Sequence, residues 1–124
     1  MKRNTTLTVL SLLNLLLLMI HIAQDTVLQA EGRMTYPIPM AVFALLLYAS
    51  LIGSDRIWGY IVMLLGGFFG VGMIVIHARG IVVRPTGGLF FVWTMFALTA
   101  TGWMTILLSA RALSDAMRGR RFTA

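Results

Sequence analysis

The sequence predicts an all-α fold: an integral membrane four-helix bundle with antiparallel, up-down topology. Three observations predict it. Of the 124 residues, 59% are hydrophobic and 11% charged, where soluble domains carry about 25% charged residues, and the mean hydropathy is +0.89. The apolar residues gather into four stretches divided by short connections rich in glycine, proline or charge. The polar residues inside those stretches share helical faces. One transmembrane domain is expected over 1–124, with spans near 5–24, 37–53, 57–78 and 89–112 and a basic tail at 113–124.

The first stretch, LTVLSLLNLLLLMIHIAQD (7–25), organises the rest. At about 100° per residue, Ser11, Asn14, Leu18, His21 and Asp25 fall within an arc roughly 80° wide, with Thr8 and Gln24 one about 60° beyond each edge. A polar side chain aimed at lipid is costly, so this stripe should face protein or trapped water. Lys2 and Arg3 ahead of an apolar run also describe a signal peptide. The run closes on His21-Ile22-Ala23-Gln24-Asp25 with no small-x-small pattern, so a retained anchor is expected.

After a polar connection holding Glu31 and Arg33, Pro37 and Pro39 open the second span, where proline costs no helical hydrogen bond. Pro37, Ala41, Ala44 and Tyr48 share one side, which predicts a small-residue face for close helix approach. Ser54-Asp55-Arg56 forms a tight turn, and Trp58 and Tyr60 then sit at interface depth. In the third span Gly59, Met63, Gly66, Gly70, Met73 and His77 alternate steps of four and three, and Gly66 and Gly70 make a GxxxG pair. Arg84, Pro85, Gly87 and Gly88 mark the next loop. On the fourth span Thr94, Leu98, Thr101, Thr105 and Ser109 share a face, and the tail is expected to extend as an interfacial helix.

Orientation follows from the basic residues. With the N-terminus cytoplasmic, four crossings return the C-terminus to that side. Lys2, Arg3, Arg56, Arg111, Arg118, Arg120 and Arg121 then lie inside, against Arg33, Arg79 and Arg84 outside. The expected location is a cell membrane, bacterial and inner by composition. The first and third spans run the same way, so His21 and His77 reach similar depth near the outer mouth.

Composition excludes several function classes. The net charge of +6 sits at the ends of apolar segments, so nucleic acid is not an expected partner. The absence of cysteine removes disulfides and thiolate ligands. Neither a Gly-x-Ser-x-Gly elbow nor a phosphate-cradling loop occurs, so no catalytic residue is assigned and an enzyme acting on large soluble substrates is not expected. The short four-span layout resembles small multidrug-resistance exporters in size alone. Those place a glutamate in mid-first-span, whereas Asn14 cannot titrate.

Three functional readings remain. The first is a small binding or accessory subunit acting through helix contacts, in a homo-oligomer or a larger membrane complex, with Gly59, Gly66 and Gly70 as packing positions and Ser11, Asn14, Thr101 and Thr105 as a polar interior. The second is a redox or metal-binding protein with a site at the outer mouth. His21 and Asp25 at i, i+4 face one way, and His77 would complete a two-nitrogen, one-oxygen set for a divalent metal. Glu31 is a further candidate ligand. The same two histidines could instead be axial ligands of a haem b, with Arg79 or Arg84 on its propionates. Against these stands a structural role, an interfacial histidine bonded to a carbonyl or a His21–Asp25 pair capping a helix end. The third reading is a small-solute carrier working as a homodimer.

Overall fold

Asn4 starts the first helix. Its side-chain Oδ1 accepts the Leu7 amide at 3.1 Å, the capping bond that satisfies a donor left over at a helix N-terminus. From there α1 runs over Thr5–Gln29, α2 over Pro37–Ile52, α3 over Ile57–Val83 and α4 over Gly88–Thr123. The computed structural model describes residues 4–29, 37–83 and 88–123, with the side chains of 4–25, 39–78 and 88–119. The expectations for Lys2, Arg3, Glu31, Arg33 and Arg84, and for the side chains of Arg79, Arg120 and Arg121, lie outside the described residues.

The chain is all-helical, and three segments, Thr5–Asp25, Ile57–Ala78 and Gly88–Gly119, are long and apolar enough to cross a membrane. The apolar part of α2, Pro39–Ile52, is shorter. Its helix of 16 residues rises about 24 Å, where a hydrocarbon core is about 30 Å thick. No break separates the fourth span from the tail. Instead α4 carries on as one helix past 112.

The helices pack with α1 and α3 in the middle. Each touches α2 on one side and α4 on the other, and α1 touches α3 directly. Glycines set how closely they approach. A Cβ on Gly67 would stand 2.8 Å from the Gly102 carbonyl oxygen, and one on Gly102 would stand 2.8 Å from that of Gly67. The α3–α4 contact is therefore backbone on backbone. Gly66 and Gly70 do different work from each other. Gly66 takes the Leu46 side chain of α2, and Gly70 takes the Asn14 carbonyl of α1. The α2–α3 turn closes in four residues, with Arg56 N donating to Gly53 O at 2.9 Å. Gly59 rests on the backbone of Gly53 there, a contact any Cβ would obstruct.

Two expectations are corrected. Ala41, Ala44 and Tyr48 point outward, and Tyr48 is 55% exposed. The face of α2 that packs is Leu46, Ala49 and Ser50. Leu46 enters the gap at Gly66, and the small Ala49 and Ser50 lie on the same buried face. Thr8, expected outside the buried stripe, is also buried. At that end α4 continues over α1, packing Leu108, Ala112, Leu113 and Ala116 against the Leu7–Tyr60–Met63 cluster, so the covered arc is wider.

The distribution of polarity is inverted relative to a protein in water. Ser11, Asn14, Ser50, Thr94, Thr105 and Ser109 are buried, while Leu16, Phe68, Val75, Ile76, Leu89 and Leu107 are among many large apolar side chains left outside. A hydrocarbon surround favours that arrangement, since it solvates the apolar exterior and leaves polar groups to find partners within.

The glycine contacts give a first prediction. Gly59→Ala should lose about 1–3 kcal/mol by overpacking. Gly72→Ala, at a glycine with nothing within 4 Å of an added Cβ, should be neutral or gain up to about 1 kcal/mol of helix propensity. Thermal unfolding of the two variants in detergent measures the difference.

Candidate functional site

Polar side chains inside the protein form storeys along α1. Nearest its start, the Ser11 hydroxyl donates to Ser50 of α2 at 2.6 Å, since Ser50 gives its own proton to the Leu46 carbonyl at 2.7 Å. One turn on, Asn14 Nδ2 donates to the Gly66 carbonyl at 2.9 Å. Thr101 Oγ1 lies 3.3 Å from Asn14 Oδ1 and shares its proton with the Ala97 carbonyl. Asn14 therefore ties α1 to α3 and α4 together. Thr105, expected in the polar interior, is buried but donates to Thr101 O in its own helix. Among the described residues it binds no second helix. Ser109 Oγ, one turn further along, is buried without a hydrogen-bond partner among the described residues.

The highest storey brings together the three ionisable side chains singled out in the sequence. His21 Nε2 and His77 Nε2 are 3.1 Å apart. Asp25 Oδ2 lies 3.3 Å from each of them. The i, i+4 spacing on α1 places Asp25 over His21, and the close α1–α3 approach brings in His77. Burial is graded across the group: the His21 side chain is fully buried, His77 17% exposed and Asp25 13% exposed. Phe91 of α4 walls the site, its ring 5.5 Å from that of His21 and 5.7 Å, edge-on, from that of His77. Gln24, not assigned to the site in the sequence, stands beside it and donates to Thr94 Oγ1 at 3.3 Å. Its position outside the 80° arc concealed that role, which depends on where α4 lies.

The shape of the triangle limits what the site can hold. One shared proton bonds along one edge of this triangle, and two imidazoles protonated at Nε2 would both donate to Asp25 Oδ2. An ion satisfies all three atoms together. A tetrahedral metal with bonds of about 2.0–2.1 Å holds its ligand atoms about 3.3 Å apart, and the three edges here are 3.1, 3.3 and 3.3 Å. Two imidazoles and one carboxylate suit borderline divalent ions such as zinc. The buried His21 Nδ1 has no hydrogen-bond partner among the described residues, so none of them makes the outer hydrogen bond that usually orients a ligating imidazole.

Haem does not fit. Axial imidazoles on opposite sides of one iron need their nitrogens about 4 Å apart, at about 2 Å per bond, with a flat macrocycle between them. Here the rings meet edge to face, their centroids 4.8 Å apart and their planes at 80°. The glycines that would have made room are filled by Leu46 and Asn14.

Comparison with protein-family models, with curated proteins and with solved structures finds no match for this chain.

Asn14 gives the second prediction. Asn14→Ala should lose about 1–2 kcal/mol, from two interhelical hydrogen bonds at about 0.6 kcal/mol each and the space left behind. Asn14→Leu should lose more, because a branched side chain meets Gly70 backbone where a planar amide now fits. Detergent unfolding curves rank the two.

Proposed function

We propose that this chain is a small integral membrane protein, an antiparallel four-helix bundle with both termini cytoplasmic, that binds one divalent transition-metal ion at its outer end through His21, His77 and Asp25. The observation that carries the metal reading is the triangle of ligand atoms, whose edges match the face of a tetrahedral site. The up-down arrangement is supported by the order of contacts along the helices. Early α1 meets late α2 at Ser11–Ser50, and Asn14 and Gln24 meet Thr101 and Thr94 in reverse order on α4. The orientation rests on seven basic residues against three.

In this reading the protein is a binding component rather than an enzyme. Phe91 and the helix backbones exclude water from one side, while Asp25 and His77 keep contact with the outside. With three protein ligands, a fourth position is left for water or an exchangeable donor.

Purified protein in detergent, titrated with cobalt(II), should take up one ion per chain and develop the intense visible bands of tetrahedral cobalt. Zinc should displace it. His77→Ala should weaken binding by at least about 100-fold, exceeding the ~10–100-fold that loss of an outer-shell partner costs. Binding should weaken on acidification, because protons compete with the metal for the imidazole and carboxylate lone pairs. Equal, substoichiometric uptake by the unmodified and His77→Ala proteins would overturn the reading.

A further inference from the structure

We infer that the ion is taken up from, and returned to, the outer side only, so that the protein is a one-sided metal receptor and not a conduit. This deepens the metal-binding reading and rests on it. The argument comes from what lies beneath the site. Seven residues of α1, about 10 Å, separate His21 from Asn14, the next polar group on that face. The intervening layer is apolar: Leu17 and Leu18 of α1 and Met95 and Leu98 of α4 are buried at 5%, 3%, 0% and 0% exposure. Met73 of α3 packs against them. A divalent ion entering this layer would exchange its nitrogen and oxygen ligands for carbon and the thioether sulfurs of Met73 and Met95, soft groups that bind a zinc-like ion poorly.

Below the layer the described buried polar side chains are neutral, and include Ser11, Asn14, Ser50, Thr101, Thr105 and Ser109. Both functional ends of the Asn14 amide already have protein partners. Among the described residues the acidic side chains are Asp25, Asp55 and Asp115, and none is in the layer between the site and Asn14. The cavity of about 220 Å³ that opens between α1, α2 and α3 is lined by Leu18, Ile22, Val42, Phe43 and Met73 among other apolar groups, and none of these side chains offers an ion a nitrogen or oxygen ligand. The exposed edge of the site is formed by His77 and Asp25. The donor and the acceptor of the metal therefore share the compartment that Asp25 faces.

Sidedness can be measured directly. The chain lacks cysteine, so Thr6→Cys, at an exposed position in the first turn of α1, reports through an impermeant maleimide which fraction of molecules present that end outward in liposomes. Zinc-loaded protein is reconstituted with a zinc indicator trapped inside, and external EDTA is added. The expected result is that EDTA strips zinc only from molecules whose Thr6 end faces inward, and that zinc added outside enters no faster than into protein-free vesicles. Entry above that baseline, or complete stripping regardless of orientation, overturns the inference while leaving binding intact. Absence of bound zinc in detergent, before reconstitution, overturns the binding reading itself and this one with it.

Discussion

The structure depends on a strip of α3 that carries no side chains. Gly66, Gly67 and Gly70 leave its backbone bare on the sides facing three neighbours, and each neighbour uses a different one. Leu46 fills the first, the Gly102 backbone meets the second and the Asn14 amide occupies the third. In lipid no hydrophobic drive pulls helices together, since acyl chains are as apolar as leucine. Close backbone contact and interhelical hydrogen bonds must supply the specificity. The bare strip provides both: dispersion contact with α4, and a carbonyl at Gly66 that Asn14 can reach. With any larger residue at Gly70, α1 would stand further off. His21 and His77, one to two turns beyond, would then separate as well. The site at the end of the helices is thus set by packing at their centre.

This explains which parts of the molecule were legible in the sequence. The existence of four helices followed from solvent and period alone, because an apolar stretch in hydrocarbon must form its hydrogen bonds internally. Asn14 announced a partner by being polar in mid-stretch, and a threonine of the fourth span is among the groups it meets. His21, Asp25 and His77 were placed together by helical rise and by parallel direction, both read directly from spacing. Other features were not legible because they depend on which helix stands where. A helical wheel shows that Gly66 and Gly70 share a side, but not that one receives α2 and the other α1. It gave no reason to choose Gly67 and Gly102, which lie on opposite helices and make no motif within either. The small residues of α2 misled for the same reason. Ala41 and Ala44 turn outward, and the small residues of α2 that are buried are Ala49 and Ser50.

The storeys within the protein also separate two kinds of polar group. Ser11, Ser50, Asn14 and Thr101 are neutral, buried and bonded to groups on neighbouring helices or to their own backbone. Such groups hold helices in register and keep a fixed charge state. His21, His77 and Asp25 are ionisable, the first fully buried and the other two only partly hidden. A protein that used its interior to move charge would need the second kind distributed along its length, as titratable residues in membrane pathways are. Here they are confined to one end, with leucine and methionine between them and the rest. The sequence already contained this fact as the lack of a deep carboxylate. The structure adds the physical barrier, because the residues that intervene are packed against one another instead of lining a path.

That confinement also bears on the choice between a structural trio and a metal site. A His21–Asp25 pair alone would suffice to cap or brace the end of α1, and α3 would need to contribute only bulk. What a brace does not require is that both imidazoles aim the same nitrogen, Nε2, at the same carboxylate oxygen, Oδ2, at equal distance. Each imidazole Nε2 carries either a proton or a lone pair, never both. With both Nε2 atoms protonated, the two imidazoles donate to one carboxylate oxygen, which has a lone pair for each. With both deprotonated, two lone pairs and an anionic oxygen converge on one point, which is unfavourable without a positive charge there. A shared proton supplies that charge along one edge of the triangle, and a divalent cation supplies it at the centre, to all three atoms at once.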